Sequence, residues 1–196
     1  VEVAIVVAET VVEVEIKYME QKSFNVHDFL KDLAVSDIKD YCKRNTVPHA
    51  LAMMHINGDF NLGTVIRNAN FFGLEKVYYI GGKKQFDRRS TVGTHIYTPI
   101  EFIKTVDEFF DAIKGIYNPI ALENNIKYTC HPYYSYKYPN RSVLIMGEEQ
   151  AGLSDDVLTK CNGIVTIPGH GSVRSLNVGT ASGIIAGHLR MLHSNV

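Results

Sequence analysis

Five short apolar runs separated by stretches of helical period constrain this chain most. Leu51–Ile56, Val77–Ile80, Ile120–Leu122, Val143–Met146 and Ile164–Ile167 are each too short for a stable helix and hold almost no polar residues, as strands covered on both faces do. Between and after them, apolar residues recur at helical spacing near 62–72, 105–115, 154–160 and 178–193. Gly73 stands where the first of these helices must end, and Ser154, followed by Asp155 and Asp156, has the form of an N-cap with acidic first-turn residues. Strand–helix alternation of this kind predicts an α/β fold: a mainly parallel sheet flanked by helices.

The segment before these runs has a different rhythm. Val12, Val14, Ile16 and Tyr18 alternate with Glu13, Glu15 and Lys17, which predicts a strand with one wet face. Val26, Phe29, Leu30, Leu33, Ile38 and Tyr41 keep helical spacing, and Pro48 is expected to break the chain. We therefore divide the chain into an N-terminal extension, 1–48, and a body, 49–196.

The apolar runs are far shorter than a membrane span, and no signal peptide is visible, so a soluble protein is expected. Cys42, Cys130 and Cys161 are sparse and widely separated, which fits a reducing cytoplasm better than a disulfide framework. Neither they nor the histidines show metal-ligand spacing, and no metal is expected. The net charge of −1 gives no general surplus for binding nucleic acid, so any such surface must be a local cluster.

In open parallel sheets ligands bind beyond the carboxyl ends of the strands, which directs attention to three segments. Asn57–Gly63 follows the first run and leads into a helix carrying Arg67; Gly147–Gly152 follows the fourth; Pro168–Asn177 follows the fifth. Each joins glycines to amide, hydroxyl or acidic groups, and together they can line one polar crevice. Taken singly they also fit ordinary turns, a capping or solvated Glu and a solvated helix face, which is the commoner use of a lone Glu or a helical Arg, and none matches the phosphate-binding GxxxxGK[ST] or dinucleotide GxGxxG patterns. Lys83, Lys84, Arg88 and Arg89, around Phe86, form the densest basic cluster and suit a looped nucleic acid. Gly179, Gly183 and Gly187 share one stripe of the last helix, which predicts a close helix contact, within the chain or across a dimer.

Three segments resemble motifs of the SpoU (TrmH-like) family of SPOUT RNA 2′-O-ribose methyltransferases. They are Asn61-Leu62-Gly63-Thr64-Val65-Ile66-Arg67-Asn68-Ala69 with Phe72-Gly73-Leu74, Ile145–Ser154 containing Gly147-Glu148-Glu149-Gln150-Ala151-Gly152, and Ile167–Gly171 followed by Ser175-Leu176-Asn177-Val178. Their order and spacing agree with the family over roughly residues 50–193. The chain departs from the family's usual pattern at Gly169 and at Gly179-Thr180, and residues 1–48 do not match the usual N-terminal RNA-binding domain of longer members.

The resemblance implies a C-terminal deep trefoil knot, S-adenosylmethionine as cofactor, a homodimer, and tRNA or rRNA as substrate. On matching positions it implies a cofactor pocket of Leu122, Gly147, Ile167, Ser175 and Leu176, and a reacting set of Arg67, Asn61, Glu149, Ser175 and Asn177. Arg67 would grip the target phosphate, since a guanidinium does not readily give up its proton. The glycine stripe would belong to the dimer interface, and Lys83, Lys84, Arg88 and Arg89 would meet RNA. The alternatives are a base methyltransferase, an RNA-binding protein of this fold without catalysis, and a nucleotide-binding module for another ligand.

Overall fold

The computed structural model describes residues 25–55, 60–81, 86–124, 127–147 and 151–194. The strand expected over residues 12–18 lies outside them. The described elements begin with a 3₁₀ turn, Asp28–Leu30, and α1 (Val35–Arg44), followed by β1 (Val47–Met54), α2 (Phe60–Phe71) and β2 (Leu74–Ile80). Two 3₁₀ turns, Arg88–Thr91 and Thr94–Ile96, lead to β3 (Ile100–Ile103), α3 (Val106–Ile113), β4 (Asn118–Leu122) and the two-residue β5 (His131–Pro132). The chain closes with β6 (Ser142–Met146), α4 (Asp155–Lys160), β7 (Gly163–Thr166) and α5 (Val178–Met191).

All seven strands are parallel, in the order β3-β2-β1-β6-β4-β7-β5. The late strands do not add at the edges: β6 enters between β1 and β4, and β7 between β4 and β5. The runs read as strands are buried on both faces because each face has its own helical cover. Leu51, Met53, Val77, Tyr79, Leu144 and Met146 point to one side, where α2 and α5 supply Leu62, Ile66, Ile185 and Leu189. Ala50, Ala52, Tyr78, Ile80, Val143 and Ile145 point to the other, against Phe109 and Ile113 of α3 and Val157 and Leu158 of α4. The period of two along each strand thus divides one sheet between two cores.

The expected caps are present. Ser154 Oγ accepts from Val157 N at the start of α4. Gly73 ends α2 with φ +65°, and a β-carbon there would lie 2.8 Å from the carbonyl of Asn45. Pro48, however, does not break the chain. It is the second residue of β1, and the pairing with β2 shifts register between Val47 and Ala50, which accommodates a residue with no N–H to donate. The single helical rhythm read over 26–44 divides into a 3₁₀ turn and α1. Leu30 and Ile38 pack with Tyr97, while Phe29 and Leu33 stay exposed. β3 and β5 are strands that periodicity did not reveal: both are edges, and the second is two residues long and contains Pro132.

The glycine stripe makes its contact inside the chain. Gly179, Gly183 and Gly187 lie against Thr64 and Asn68 of α2 and Phe72 just after it, where added β-carbons would come within 2.8, 3.2 and 3.3 Å. Asn68 uses that approach, with its Nδ2 donating to Gly179 O and to Ser182 Oγ, both at 2.8 Å. The expectation that this stripe forms a dimer interface is therefore corrected: α2 already occupies it. Gly183→Leu should lower stability by about 2–4 kcal/mol, combining overpacking with the lost Asn68 bonds. Urea unfolding followed by circular dichroism measures this, and an unchanged midpoint would mean that the two helices separate freely.

The end of α5 is fastened to the sheet by a histidine pair. His49, on β1 and only 1% exposed, accepts at Nδ1 from Ser142 N (3.2 Å). Its Nε2 therefore carries the proton and donates to His193 Nε2 at 2.8 Å. Burial first, then the neighbouring His193 ring, pushes the His49 pKa down to about 4. A histidine kept neutral in the fold stabilises it fully above its unfolded pKa of about 6.5, and that contribution falls as pH drops from there toward 4, where the unfolded chain alone takes up the proton. The full effect is about 3 kcal/mol. Denaturation at pH 7 and pH 5 should show a larger loss for wild type than for His49→Gln; equal losses would contradict the assignment.

Candidate active site

Because every strand runs the same way, the ends of β1, β4, β6 and β7 lie along one edge of the sheet. Leu122 is in register with Met146 on one side and Val165 on the other, so Leu122, Gly147 and Ile167 leave three neighbouring strands at nearly one level. Leu122 and Ile167 are half-buried and pack on the α2–α5 side of the core. Ser175 and Leu176, the other two positions expected to hold a cofactor, lie in the exposed stretch before α5.

Gly147, directly after β6, lies against the backbone of Gly152. A β-carbon at Gly147 would be 2.3 Å from the carbonyl carbon of Gly152, so only glycine permits this approach. Gly152 has φ +67°, and its own β-carbon would meet Glu123 Oε2 at 2.6 Å. Glu123, the first residue after β4, accepts from Leu153 N at 2.8 Å. Its neighbour Asn124 donates to the carbonyl of Arg174, at 2.7 Å, in the segment that leaves β7. Glu123 and Asn124 were not singled out from the sequence. The signal was the one already used for the other three segments: they follow directly on an apolar run.

Asn177 and Asn61 come together. Asn177 caps α5, its Oδ1 accepting from Gly179 N (2.9 Å) and Thr180 N (3.3 Å). This orients the amide so that Nδ2 donates to Asn61 Oδ1 at 3.0 Å, across from the first turn of α2. Arg67 lies further along α2 on another face. It is exposed and lines an open groove of about 1370 Å³ between α2 and the segment Asn25–Thr46, with Thr64, Phe71 and Tyr41; Asn61, Ser175 and Asn177 do not line this groove. Within one chain, then, Arg67 and Asn61 share a helix but not a pocket. Glu149 lies outside the described residues.

Of the four cations expected to meet RNA, Lys83 and Lys84 also lie outside the described residues. Arg88 and Arg89 occupy a 3₁₀ turn seated on the start of α2, where Gly63 leaves room for Ser90. Arg88 and Arg89 thus sit over the same helical turn as Asn61. Arg89 is ion-paired with Asp87 at 2.5 Å, and its hydrogen bonds hold the Asp87 carboxyl below the usual range. Such exposed pairs are worth little and can be exchanged for a phosphate. No group of three or more His, Cys, Asp or Glu arranged to hold a metal occurs among the described residues, and no helix among them is long and apolar enough to cross a membrane.

These contacts separate the glycines by role. Gly147→Ala should cost about 1–3 kcal/mol, since backbone must move. Gly169→Ala, with nothing within 4 Å, should be near neutral. Thermal unfolding of the two variants measures the difference, and equal melting points would show that the Gly147–Gly152 approach is not needed.

A sequence profile of the SpoU rRNA Methylase family matches residues 48–187. A Bacillus subtilis protein named as a 23S rRNA guanosine 2′-O-methyltransferase, RlmP, is 31% identical over 138 residues, 66% of this chain and 53% of its own length. An Escherichia coli protein named as a tRNA guanosine 2′-O-methyltransferase is 23% identical over 137 residues, covering 69% of this chain and 59% of its own. The chain thus spans little more than half the length of these curated relatives. Among solved structures, an AdoMet-bound rRNA methyltransferase from Sinorhizobium meliloti superposes with a TM-score of 0.69 at 24% identity, over 81% of this chain and 61% of that one. A TrmH/SpoU tRNA modifying enzyme from A. aeolicus gives 0.70 at 20% identity, over 80% and 81%. At these identities the superpositions bear on the fold.

Proposed function

The chain belongs to the SpoU rRNA Methylase family, and from that premise we propose that it transfers a methyl group from S-adenosylmethionine to a ribose 2′-hydroxyl of tRNA or rRNA. The observation that carries this reading is the Asn177–Asn61 hydrogen bond beside the three segments leaving β4, β6 and β7. It joins the first and third motifs at the edge where the second also emerges. The reading includes a C-terminal trefoil knot, supported by the entry of β6 and β7 between other strands.

The residues present fit the cofactor. Leu122 and Ile167 offer half-buried apolar surface, and the close approach at Gly147 keeps side chains away from the backbone there. Backbone groups of Ser175 and Leu176 would complete the pocket. The cofactor supplies a methyl carbon already activated by a sulfonium, which departs without charge. What remains for the protein is alignment and the handling of one proton. Asn177, held by its two cap bonds, presents a fixed amide, with Asn61, Ser175 and Glu149 completing the hydrogen-bonding set around the ribose. Arg67 keeps its charge and positions the target phosphate. Arg88 and Arg89 lie over the same turn of α2 and, with Lys83 and Lys84, track the RNA backbone.

A homodimer is part of this proposal, formed through surfaces other than the glycine stripe. Phe71 on α2 and Met191 at the end of α5 are 78% and 68% exposed, and Leu192 is exposed beside Met191. Apolar surface of this kind favours a second copy, and association would give Arg67 a route to a reacting centre that it does not share within its own chain. No metal is required, the working place is the cytoplasm, and the N-terminal extension ends before Val47, where β1 begins, two residues short of the boundary expected at 48.

Arg67→Ala should abolish methyl transfer to RNA while changing cofactor affinity by less than about twofold, because Arg67 stands apart from the strand-end pocket. Calorimetry with S-adenosylhomocysteine and a radiolabel transfer assay measure the two effects. A large loss of cofactor binding in a folded variant would show the role to be misassigned.

A further inference from the structure

We propose that Glu123 and Asn124 are positioning residues, a two-residue clasp that sets the shape of the cofactor pocket by holding the segments on either side of it; this rests on the methyl-transfer reading above. The sheet order puts them there. β4 lies between β6 and β7, so whatever leaves β4 emerges between the segments that leave its two neighbours. Glu123 keeps strand geometry for one more step, donating its N–H to Val165 O at 2.9 Å, and Asn124 follows it out of the sheet.

The two side chains then reach in different directions. Glu123 Oε2 accepts from Leu153 N at 2.8 Å, while Oε1 accepts from Asn124 N at 2.8 Å. One carboxylate therefore fastens the segment leaving β6 and fixes the backbone of the second member of the clasp. Asn124 Nδ2 donates to Arg174 O at 2.7 Å, 50 residues along the chain and one residue before Ser175. Gly152 shows how closely the first contact is fitted. Its α-carbon faces Glu123 Oε2 with no room for a methyl group, and its φ of +67° suits glycine.

Residues 169–177 are exposed and lie outside helix and strand, and their described anchors include the Asn177 cap at one end, β7 at the other, and Asn124 between. Glu123 should govern the side of the pocket near Gly147, and Asn124 the side carrying Ser175, Leu176 and Asn177. An acceptor that is ionised makes stronger bonds to backbone N–H than a neutral one, which predicts that Gln at 123 replaces Glu only in part.

The test uses Glu123→Ala, Glu123→Gln and Asn124→Ala in the full chain, each checked for folding by circular dichroism. Three quantities are read: affinity for S-adenosylhomocysteine by calorimetry, kcat and KM for methyl transfer, and amide hydrogen exchange at Leu153 and across 168–177. Glu123→Ala should weaken cofactor affinity at least tenfold and speed exchange at Leu153, with Glu123→Gln recovering part of both. Asn124→Ala should speed exchange across 168–177 and lower kcat severalfold, with a smaller change in cofactor affinity. Unchanged exchange at Leu153 together with cofactor affinity within twofold of wild type in Glu123→Ala would overturn the proposal. So would a general loss of stability with no selective effect on cofactor affinity. If wild type itself binds no S-adenosylhomocysteine, the methyl-transfer reading fails, and the pocket role falls with it even where exchange shows the clasp to be real.

Discussion

The pairing of β6 with β1 on one side and β4 on the other is the constraint on which the site depends. It places a strand from late in the chain at the middle of the sheet, with β2 and β3 beyond β1, and β7 and β5 beyond β4. With all strands parallel, the end of β6 is bounded by the ends of two strands that both precede it in the chain. Segments distant in sequence are thereby brought within hydrogen-bond reach: Glu123 meets Leu153, Asn124 meets Arg174, and Asn177 meets Asn61. A sheet built in sequence order would leave these segments dispersed along its edge.

The second dependence is the close approach of α2 and α5. Small residues on α5 let the side chains of Thr64, Asn68 and Phe72 lie against its backbone, and Asn68 joins the helices through Gly179 O and Ser182 Oγ. Asn177 caps the same end of α5 and Asn61 sits in the first turn of α2. The distance between the two asparagines is therefore set by helix packing and not by the loops that bear the motifs. The elements that complete the core on one face of the sheet also register the polar pair.

How much of this was legible in the sequence depended on whether a residue's role has a period or a shape of its own. The five central strands and the four helices of the body were readable because burial on two faces or one leaves a repeating pattern. β3 and β5 left none, being short edges. Pro48 read as a break because a proline in a central strand is unusual; the register shift that admits it is a property of the pairing and not of the local sequence. The glycine stripe announced a close contact but carries no information about its partner, and α2 rather than a second chain fills it. Asn61 and Asn177 were identified through the motif resemblance, whereas a lone carboxylate such as Glu123 has many possible uses. Its partners, Leu153 and Gly152, are fixed only by the strand order.

The position of Arg67 shows how far one chain can go toward a reacting centre. Asn61 and Arg67 are six residues apart on α2, which turns them to different faces of the helix. Asn61 points to the capped end of α5, and Arg67 opens into the groove beside the segment Asn25–Thr46. The other faces of α2 pack on the sheet and against the glycines of α5. In the proposed function, the Arg67 guanidinium would act on RNA lying across two surfaces of α2, or across a boundary with a second copy. In the proposed homodimer, the exposed Phe71, Met191 and Leu192 would lie at that boundary. The fold would then keep cofactor alignment within the chain and leave the grip on the substrate to be completed by association.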